Sequence, residues 1–273
     1  MKDKLLPLKY ILLSIFALMI LIPLAIVFFG AFKTSSELFN RPFGFPKEFV
    51  LENFITAFIK GNMLVYYKNT LFVTVISLVF ILSFSCLAAY SVTRSSFKAG
   101  NALFYYFMFG LTIPVQVIMI PSYLMMAKLH LVNNIWSLVI IYISSTMSFS
   151  IFILSGFFRT LPVELEEAAI IDGCNELQAF ISIILPLCKP AVTTVMIFNM
   201  LFIWNDLYNP MLYIRSENIK TIALGLMKYM GRYVSNFPIM FAAVVLASLP
   251  VIVVFLVLQK QFVSGITAGA VKG

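Results

Sequence analysis

Charge is what this chain has least of. Only 11% of its 273 residues are charged, while 62% are apolar and mean hydropathy is +1.01. Ordinary soluble domains run roughly 45–50% apolar and about 25% charged. Nineteen Lys and Arg with eleven Asp and Glu cannot coat a globule of 30.8 kDa in water, which excludes a soluble enzyme and a disordered tail. Cysteine is scarce too. Cys86, Cys174 and Cys188 form no CxxC pair, so no disulfide framework staples a secreted module. The single histidine, His130, cannot build a histidine metal site alone. Despite a net charge of +8, no basic run or aromatic–basic platform points to nucleic acid. No Gly-Lys dipeptide occurs, so there is no P-loop lysine for a nucleotide phosphate and the chain cannot itself hydrolyse ATP. Strand-like alternation is also missing, which excludes a β-barrel. What is present in quantity is long apolar runs, and the chain reads as an all-α polytopic membrane protein covered by lipid.

A helix needs about 20 mostly apolar residues to cross the hydrocarbon core. Six stretches qualify within one transmembrane domain, 1–273: about 10–32, 69–93, 101–127, 134–158, 190–212 and 237–259. Lys2, Lys4 and Lys9 before the first imitate a signal peptide. That run is too long and lacks a small-residue cleavage site, so an uncleaved helix is expected. Six spans put both termini on one side, together with the turn 94–98 and the segment 159–189. That side carries Lys2, Lys4, Lys9, Arg94, Lys98, Arg159, Lys189, Lys260 and Lys272. The remaining cations are spread over longer loops, so the count leaves orientation open while cation density favours cytoplasmic termini. Pro23, Pro114, Pro121, Pro210 and Pro250 lie inside spans, where they are expected to kink helices for a transport path or for packing.

The segment 159–190 is unlike the rest. Pro162 suits the first turn of a helix, and Glu164, Glu166 and Glu167 suit its positive N-terminal end. Gly173 is placed to stop that helix, and Asn175 to cap a second one running to Leu185, before Pro186 and Pro190 break it. Two short helices at an angle make a projecting knob, with Ala168 and Ala169 giving a shallow face for another protein's backbone. A plainer alternative is an interfacial hairpin that only reconnects two spans.

Glu167-Ala168-Ala169, Gly173, then Ile183-x-Leu185-Pro186 resembles the EAA motif of ABC-importer permeases at every spacing. Asn69-Thr70-Leu71, Ala88-Ala89-Tyr90, Ile113-Pro114-Val115-Gln116, Ile120-Pro121, Trp204-Asn205-Asp206 and the closing 267–273 are similar to the smaller permease of the maltose-type carbohydrate-uptake branch. The resemblance covers essentially the whole chain. It implies the type I ABC-importer permease fold, in the bacterial cytoplasmic membrane with both termini and the 159–189 coupling loop cytoplasmic. It also implies a second permease subunit, two cytoplasmic ABC ATPase subunits that carry ATP and Mg, an extracytoplasmic solute-binding protein, and a carbohydrate substrate, in the size range of an oligosaccharide. No cofactor or metal is expected on this chain itself. Glu167, Ala168, Ala169, Asp172, Gly173, Leu185 and Pro186 are the implied ATPase-coupling residues, with Glu167 pairing to a basic ATPase residue. The alternative class is a self-sufficient six-helix secondary transporter or channel. Such a carrier would show ionisable residues for ion coupling or an internal repeat; a single intramembrane acid and no repeat are present.

Three further regions carry two readings each. Asp206 is the one acid inside a span, and burying it at mid-bilayer costs roughly 2.5–3.5 kcal/mol, so it faces protein or water. With Asn199, Trp204, Asn205 and Asn209 it forms a polar stripe that suits either a sugar path or interhelical packing. The loop 215–237 holds an apolar patch, Ile222-Ala223-Leu224-Gly225-Leu226-Met227, among Arg215, Lys220, Lys228 and Arg232. A patch so apolar is expected on the membrane surface or against a partner. The resemblance implies the partner, the binding protein, with Gly225 and Gly231 allowing a tight path. The tail 261–273 is small, flexible and nearly uncharged. It is either a frayed end or, as the resemblance implies, an arm whose Val271, Lys272 and Gly273 reach the ATPase. Gly265 and Gly269 have GxxxG spacing but lie in this tail rather than in an apolar span.

Overall fold

The computed structural model describes residues 6–94, 100–230 and 236–270, the side chains of 230 and 260–270 excepted. Lys2, Lys4, Lys98, Gly231, Arg232, Val271, Lys272 and Gly273 lie outside the described residues. Every regular element among those described is a helix. Hydrocarbon offers no water to backbone N–H and C=O groups, and a helix satisfies them within one segment.

In chain order the helices are α1 (Leu6–Gly30), α2 (Ser35–Asn40), α3 (Glu52–Ile59), α4 (Met63–Arg94), α5 (Gly100–Gly110), α6 (Val115–Lys128), α7 (Ile135–Phe158) and α8 (Glu164–Ile171). They continue with α9 (Glu176–Leu187), α10 (Lys189–Asn205), α11 (Tyr208–Tyr213), α12 (Ile222–Leu226) and α13 (Phe237–Ala270). Four of them, α1, α4, α7 and the 237–259 part of α13, are long and apolar enough to cross a membrane unbroken. The pairs α5–α6 and α9–α10 are bent by 96° and 76°, and the number of spans is six if each bent pair is one. The break in the stretch 101–127 falls at 111–114. Pro114 is extended there (φ −60, ψ 131), lacks an N–H and disfavours helix at Ile113. Pro23, Pro121 and Pro250, by contrast, sit inside continuous helices.

The stretch 190–212 also differs from a single span. Its helix ends at Asn205, Asp206 is extended (φ −71, ψ 125), and α11 restarts at Tyr208. The tail expected to be flexible is helical as far as Ala270. No proline follows Pro250, so nothing interrupts the i→i−4 ladder, and small residues do not break it by themselves.

The chain gathers into two compact units, one of residues 1–67 and 222–250, the other of 68–221 and 251–273. In the larger unit α7 is the central element, packed against α5, α10 and α11. Its buried face alternates Leu138, Tyr142, Ile151, Leu154 and Phe158 with Ser137, Thr146, Ser150 and Ser155. Thr146 and Ser150 hydroxyls donate to the carbonyls one turn back (2.9 Å each), so these two hydroxyls are satisfied within the helix.

In the smaller unit Ala31, Ala57, Ala242 and Ala243 form a buried centre of small residues ringed by Phe32, Phe54, Leu226, Tyr229 and Phe241. The apolar run of α12 belongs to this packing. Ile222 and Gly225 are buried, and Ala223, Leu224 and Leu226 are half-buried. The run 222–227, expected on the membrane surface or against a partner, is therefore mostly covered by the chain's own helices, Met227 excepted. Gly225 serves close approach rather than a tight path: a Cβ there would stand 2.3 Å from two ring atoms of Tyr66, which is fully buried. Overpacking of this kind typically costs about 1–3 kcal/mol. Gly225→Ala is thus expected to lower the melting temperature in detergent, and adding Tyr66→Leu to recover part of the loss. An unchanged melting curve for Gly225→Ala would show that the ring yields freely.

Candidate functional site

The knob between α7 and α10 is built by local sequence rules. Glu164, Glu166 and Glu167 occupy the first turn of α8, where the helix dipole favours carboxylates. At its other end Gly173 adopts φ +93. Its N–H donates to the Ile170 carbonyl (3.0 Å), and the Cys174 N–H to the Ala169 carbonyl (2.9 Å). This is the Schellman arrangement, which needs a left-handed residue where glycine stands. No atom lies within 4 Å of a Cβ built at Gly173, so the requirement there is purely conformational. Asn175 then opens α9 with a reciprocal cap. Its Oδ1 accepts from the Gln178 N–H, and Gln178 Oε1 accepts from the Asn175 N–H, both at 2.9 Å.

Pro186 does not break α9. The Leu185 N–H reaches back to the Phe180 carbonyl, making 180–184 a π-turn, and the helix runs through Pro186 to Leu187. The wider turn ahead of the proline relieves the clash between its ring and the preceding carbonyls. The bend comes at Cys188. Phe180, Ile184 and Cys188 join Cys86, Ala89, Ile151, Leu154, Phe158, Ala191 and Val195 in one buried cluster, against which Ile183 and Leu185 also pack. Pro186 is exposed.

Neighbouring glutamates of α8 point in opposite directions. Glu166 is buried and pairs with Arg94 Nε at 2.8 Å, side chains 10% and 8% exposed. The Tyr90 hydroxyl donates to Glu166 Oε2 (3.0 Å), and Arg94 also donates to the Leu161 carbonyl (2.6 Å). Ala169, three residues on, shares the inward face and is buried. Glu167, Ala168 and Asp172 face out. Around them Ile171 is 85% exposed, Leu177 57% and Ile170 52%. An apolar patch with a carboxylate beside it, on a rigid knob, suits a protein partner. Glu166, Arg94 and Tyr90 are the residues that sequence reasoning missed. The available signal was an arginine closing a span and a glutamate spaced i, i+3 from an alanine of the inward face.

The stripe around Asp206 separates into different roles. Asn199 is buried and donates to Ser150 Oγ (3.0 Å) and the Val195 carbonyl (2.8 Å). Trp204 is buried; Asn205 is exposed and donates to the Leu201 carbonyl (2.8 Å). Asp206 caps α11, accepting from the Tyr208 N–H (3.0 Å), the Asn209 side chain (2.8 Å) and the Tyr142 hydroxyl (2.9 Å). A recess of about 350 Å³ lies instead at the α5–α6 break, where Tyr106, Phe107 and Phe109 face Ser144 and Ser148 of α7. Aromatic faces beside hydroxyls are chemistry that a sugar can use.

Of the loop residues, Met227 and Lys228 are exposed, whereas Leu224 and Leu226 are half-buried and Gly225 lies under Tyr66. Lys228 donates to the Lys60 carbonyl (3.2 Å), and the Tyr229 hydroxyl to the Ala57 carbonyl (3.3 Å). Burial pushes the Tyr229 phenol above its usual range. His130 is exposed in a left-handed turn (φ 56) after α6. No group of three His, Cys, Asp or Glu among the described residues is arranged to hold a metal.

Residues 81–268 match the family model described as "Binding-protein-dependent transport system inner membrane component". The multiple sugar-binding transport system permease protein MsmG of Streptococcus mutans is 35% identical over 268 residues, covering 97% of this chain and 96% of that one. The melibiose/raffinose/stachyose import permease protein MelC of Bacillus subtilis is 32% identical over 253 residues, 92% of this chain and 91% of that one. Among solved structures, a chain of a bacterial ABC transporter involved in import of the acidic polysaccharide alginate superposes with a TM-score of 0.83 at 26% identity. The match covers 93% of this chain and 95% of that one.

Removing one partner of a buried ion pair typically costs about 3–5 kcal/mol, because the other charge stays behind without compensation. Glu166→Gln is expected to destabilise the purified protein on that scale and to speed proteolysis within 159–175. Glu167→Gln, at an exposed position, is expected to stay within about 0.5 kcal/mol of the parent. A double-mutant cycle with Arg94→Met measures the coupling; additive single effects would show that the pair does not hold the knob.

Proposed function

The chain belongs to the family of binding-protein-dependent transport system inner membrane components, and from that premise we propose how it works within its importer. It is a membrane-spanning permease subunit of an ABC importer for carbohydrate, and its substrate is an oligosaccharide. Its partners are a second, dissimilar permease, two cytoplasmic ATPase subunits that bind ATP and Mg, and an extracytoplasmic solute-binding protein. The chain binds no cofactor itself. It lies in the bacterial cytoplasmic membrane with both termini and the 159–189 knob on the cytoplasmic side.

The observation that carries this reading is the outward face of the knob: Glu167 and Ala168 exposed beside Ile171 and Leu177, with Glu166 turned inward onto Arg94. Glu167 pairs with a cation in a cleft of one ATPase subunit, while Ala168 lets the cleft wall approach closely. Closure of the ATPase pair on ATP pulls α8 inward. Arg94 passes that movement to α4, and the buried stretch of α9 passes it to α7 and α10. The helix bundle then opens toward the docked binding protein. The tail Val271, Lys272 and Gly273 serves as the contact with the ATPase pair, and Met227 with Lys228 as the contact with the binding protein. For the sugar path, the aromatic–serine recess at the α5–α6 break is better placed than Asp206, whose carboxylate is engaged in capping α11. A self-sufficient carrier finds no such support, since the relatives are subunits of ABC importers.

Glu167→Lys and Gly173→Val, made separately in the assembled importer, are expected to insert normally and to abolish uptake. Stimulation of ATPase activity by the sugar-loaded binding protein should be lost in parallel. Valine at φ +93 is strained, and lysine reverses the charge of the contact. Parental uptake in both variants would remove the coupling assignment.

A further inference from the structure

Between α1 and α3 the chain makes a closed loop that the transport reading does not use. Its base is shut by the Val50 N–H donating to the Phe32 carbonyl (2.9 Å). Asn53 Nδ2 donates to the carbonyls of Ala31 and Lys33, both at 2.9 Å. Lys33 is fully buried, and its Nζ donates to the carbonyls of Arg41 (2.7 Å) and Pro42 (3.2 Å). This fastens 41–45 against the end of α1, where the Phe45 ring lies 4.7 Å from that of Phe29.

The fastened loop leaves two recesses that meet at one side chain. The first, about 260 Å³, is apolar and lies between Ile22, Ala25, Ile26 and Phe29 of α1 and Phe43 and Phe45 of the loop. Small-molecule sites run about 300–1,000 Å³, so it is sized for part of a chain rather than a whole ligand. The second, about 290 Å³, is polar, with Glu37, Arg41, Lys47 and Glu48 among its lining residues. Arg41 borders both: its guanidinium atoms stand 3.5–3.8 Å from a Cβ built at Gly44, which lines the apolar recess. The apolar recess flanks the last two turns of a 25-residue apolar helix, and the polar one lies just past the end of that helix. Phe43 is 78% exposed and Phe45 74%, as at a headgroup boundary rather than in water. Two cations with two anions match a zwitterion better than a simple anion. Arginine presents a planar fork to phosphate, and carboxylates accept from an ammonium.

The geometry points to a bound phospholipid with a primary-ammonium zwitterionic headgroup, of the phosphatidylethanolamine class, in the leaflet that the C-terminal end of α1 reaches. One acyl chain lies in the groove between α1 and 42–45. The phosphate rests on Arg41 and Lys47, and the ammonium on Glu48 and the second oxygen of Glu37, whose Oε1 already accepts from the Lys47 N–H (2.8 Å). The lipid wedges the loop against α1.

The test uses the assembled importer, purified in mild detergent and exposed to equal amounts of phosphatidylethanolamine, phosphatidylglycerol and phosphatidylcholine. Native mass spectrometry then reads the lipid retained on this subunit. At least tenfold enrichment of one phosphatidylethanolamine over phosphatidylcholine is expected, since the latter keeps the phosphate but has no N–H donor. Arg41→Gln, which leaves the Arg41 carbonyl for Lys33, and Ala25→Phe, which fills the groove, should each lower retention at least tenfold in a complex that still assembles. Equal retention of phosphatidylglycerol overturns the zwitterion assignment, and retention unaffected by both substitutions overturns the site. If the substitutions loosen the second permease or the binding protein without changing bound lipid, the groove holds a protein partner and the proposal falls.

Discussion

What the knob presents outward depends on what Glu166 holds inward. An ion pair with Arg94, supported by the Tyr90 hydroxyl, fastens the first turn of α8 to the end of α4. Both side chains are about nine-tenths buried, so the pair is little screened by salt and costly to open from one side. With that turn fixed, α8 has one orientation about its own axis. Glu167, only one residue on, must then face away, and Ala169 must face in.

The same economy governs the far side of the knob. The Schellman turn at Gly173 and the capping box at Asn175 set the path between α8 and α9 through local hydrogen bonds, each donated by a backbone N–H. The π-turn before Pro186 then lets α9 continue into the buried cluster around Phe158 and Ala191. A lever needs stiffness at both attachments, one polar and one apolar here. Neither is a loop. Packing is contiguous from α8 to α4, and from α9 to α7 and α10, so the knob is tied to the membrane helices at both of its ends.

Much of this site was legible in the residues before any coordinates. Gly173 and Asn175 announced a stop and a start because each answers a local backbone need. Length and apolarity announced the helices for the same reason, since a hydrocarbon solvent leaves the backbone few options. Pro186 was misleading. Its ring forbids an ordinary α-turn, but the sequence does not say whether the chain will bend there or widen by one residue into a π-turn. Asp206 was ambiguous in a comparable way. A carboxylate in an apolar run demands a partner, yet the run does not show that Tyr142 and the restarting helix α11 supply it.

The sequence by itself determined the solvent, the helical class, the six apolar stretches and the spacing of the knob, because all of these follow from interactions within one segment or with the medium. Only the tertiary structure decided that Glu166 rather than Glu167 is the inward carboxylate. It alone set Leu226 against the chain's own alanine-centred core, and put Gly225 where the Tyr66 ring needs room. Each of these depends on residues far apart in the chain meeting at side-chain distance. Arg94 and Glu166 stand 72 positions apart, and Tyr66 and Gly225 stand 159 apart. Composition and periodicity describe what a segment wants to bury, but not which distant segment will cover it.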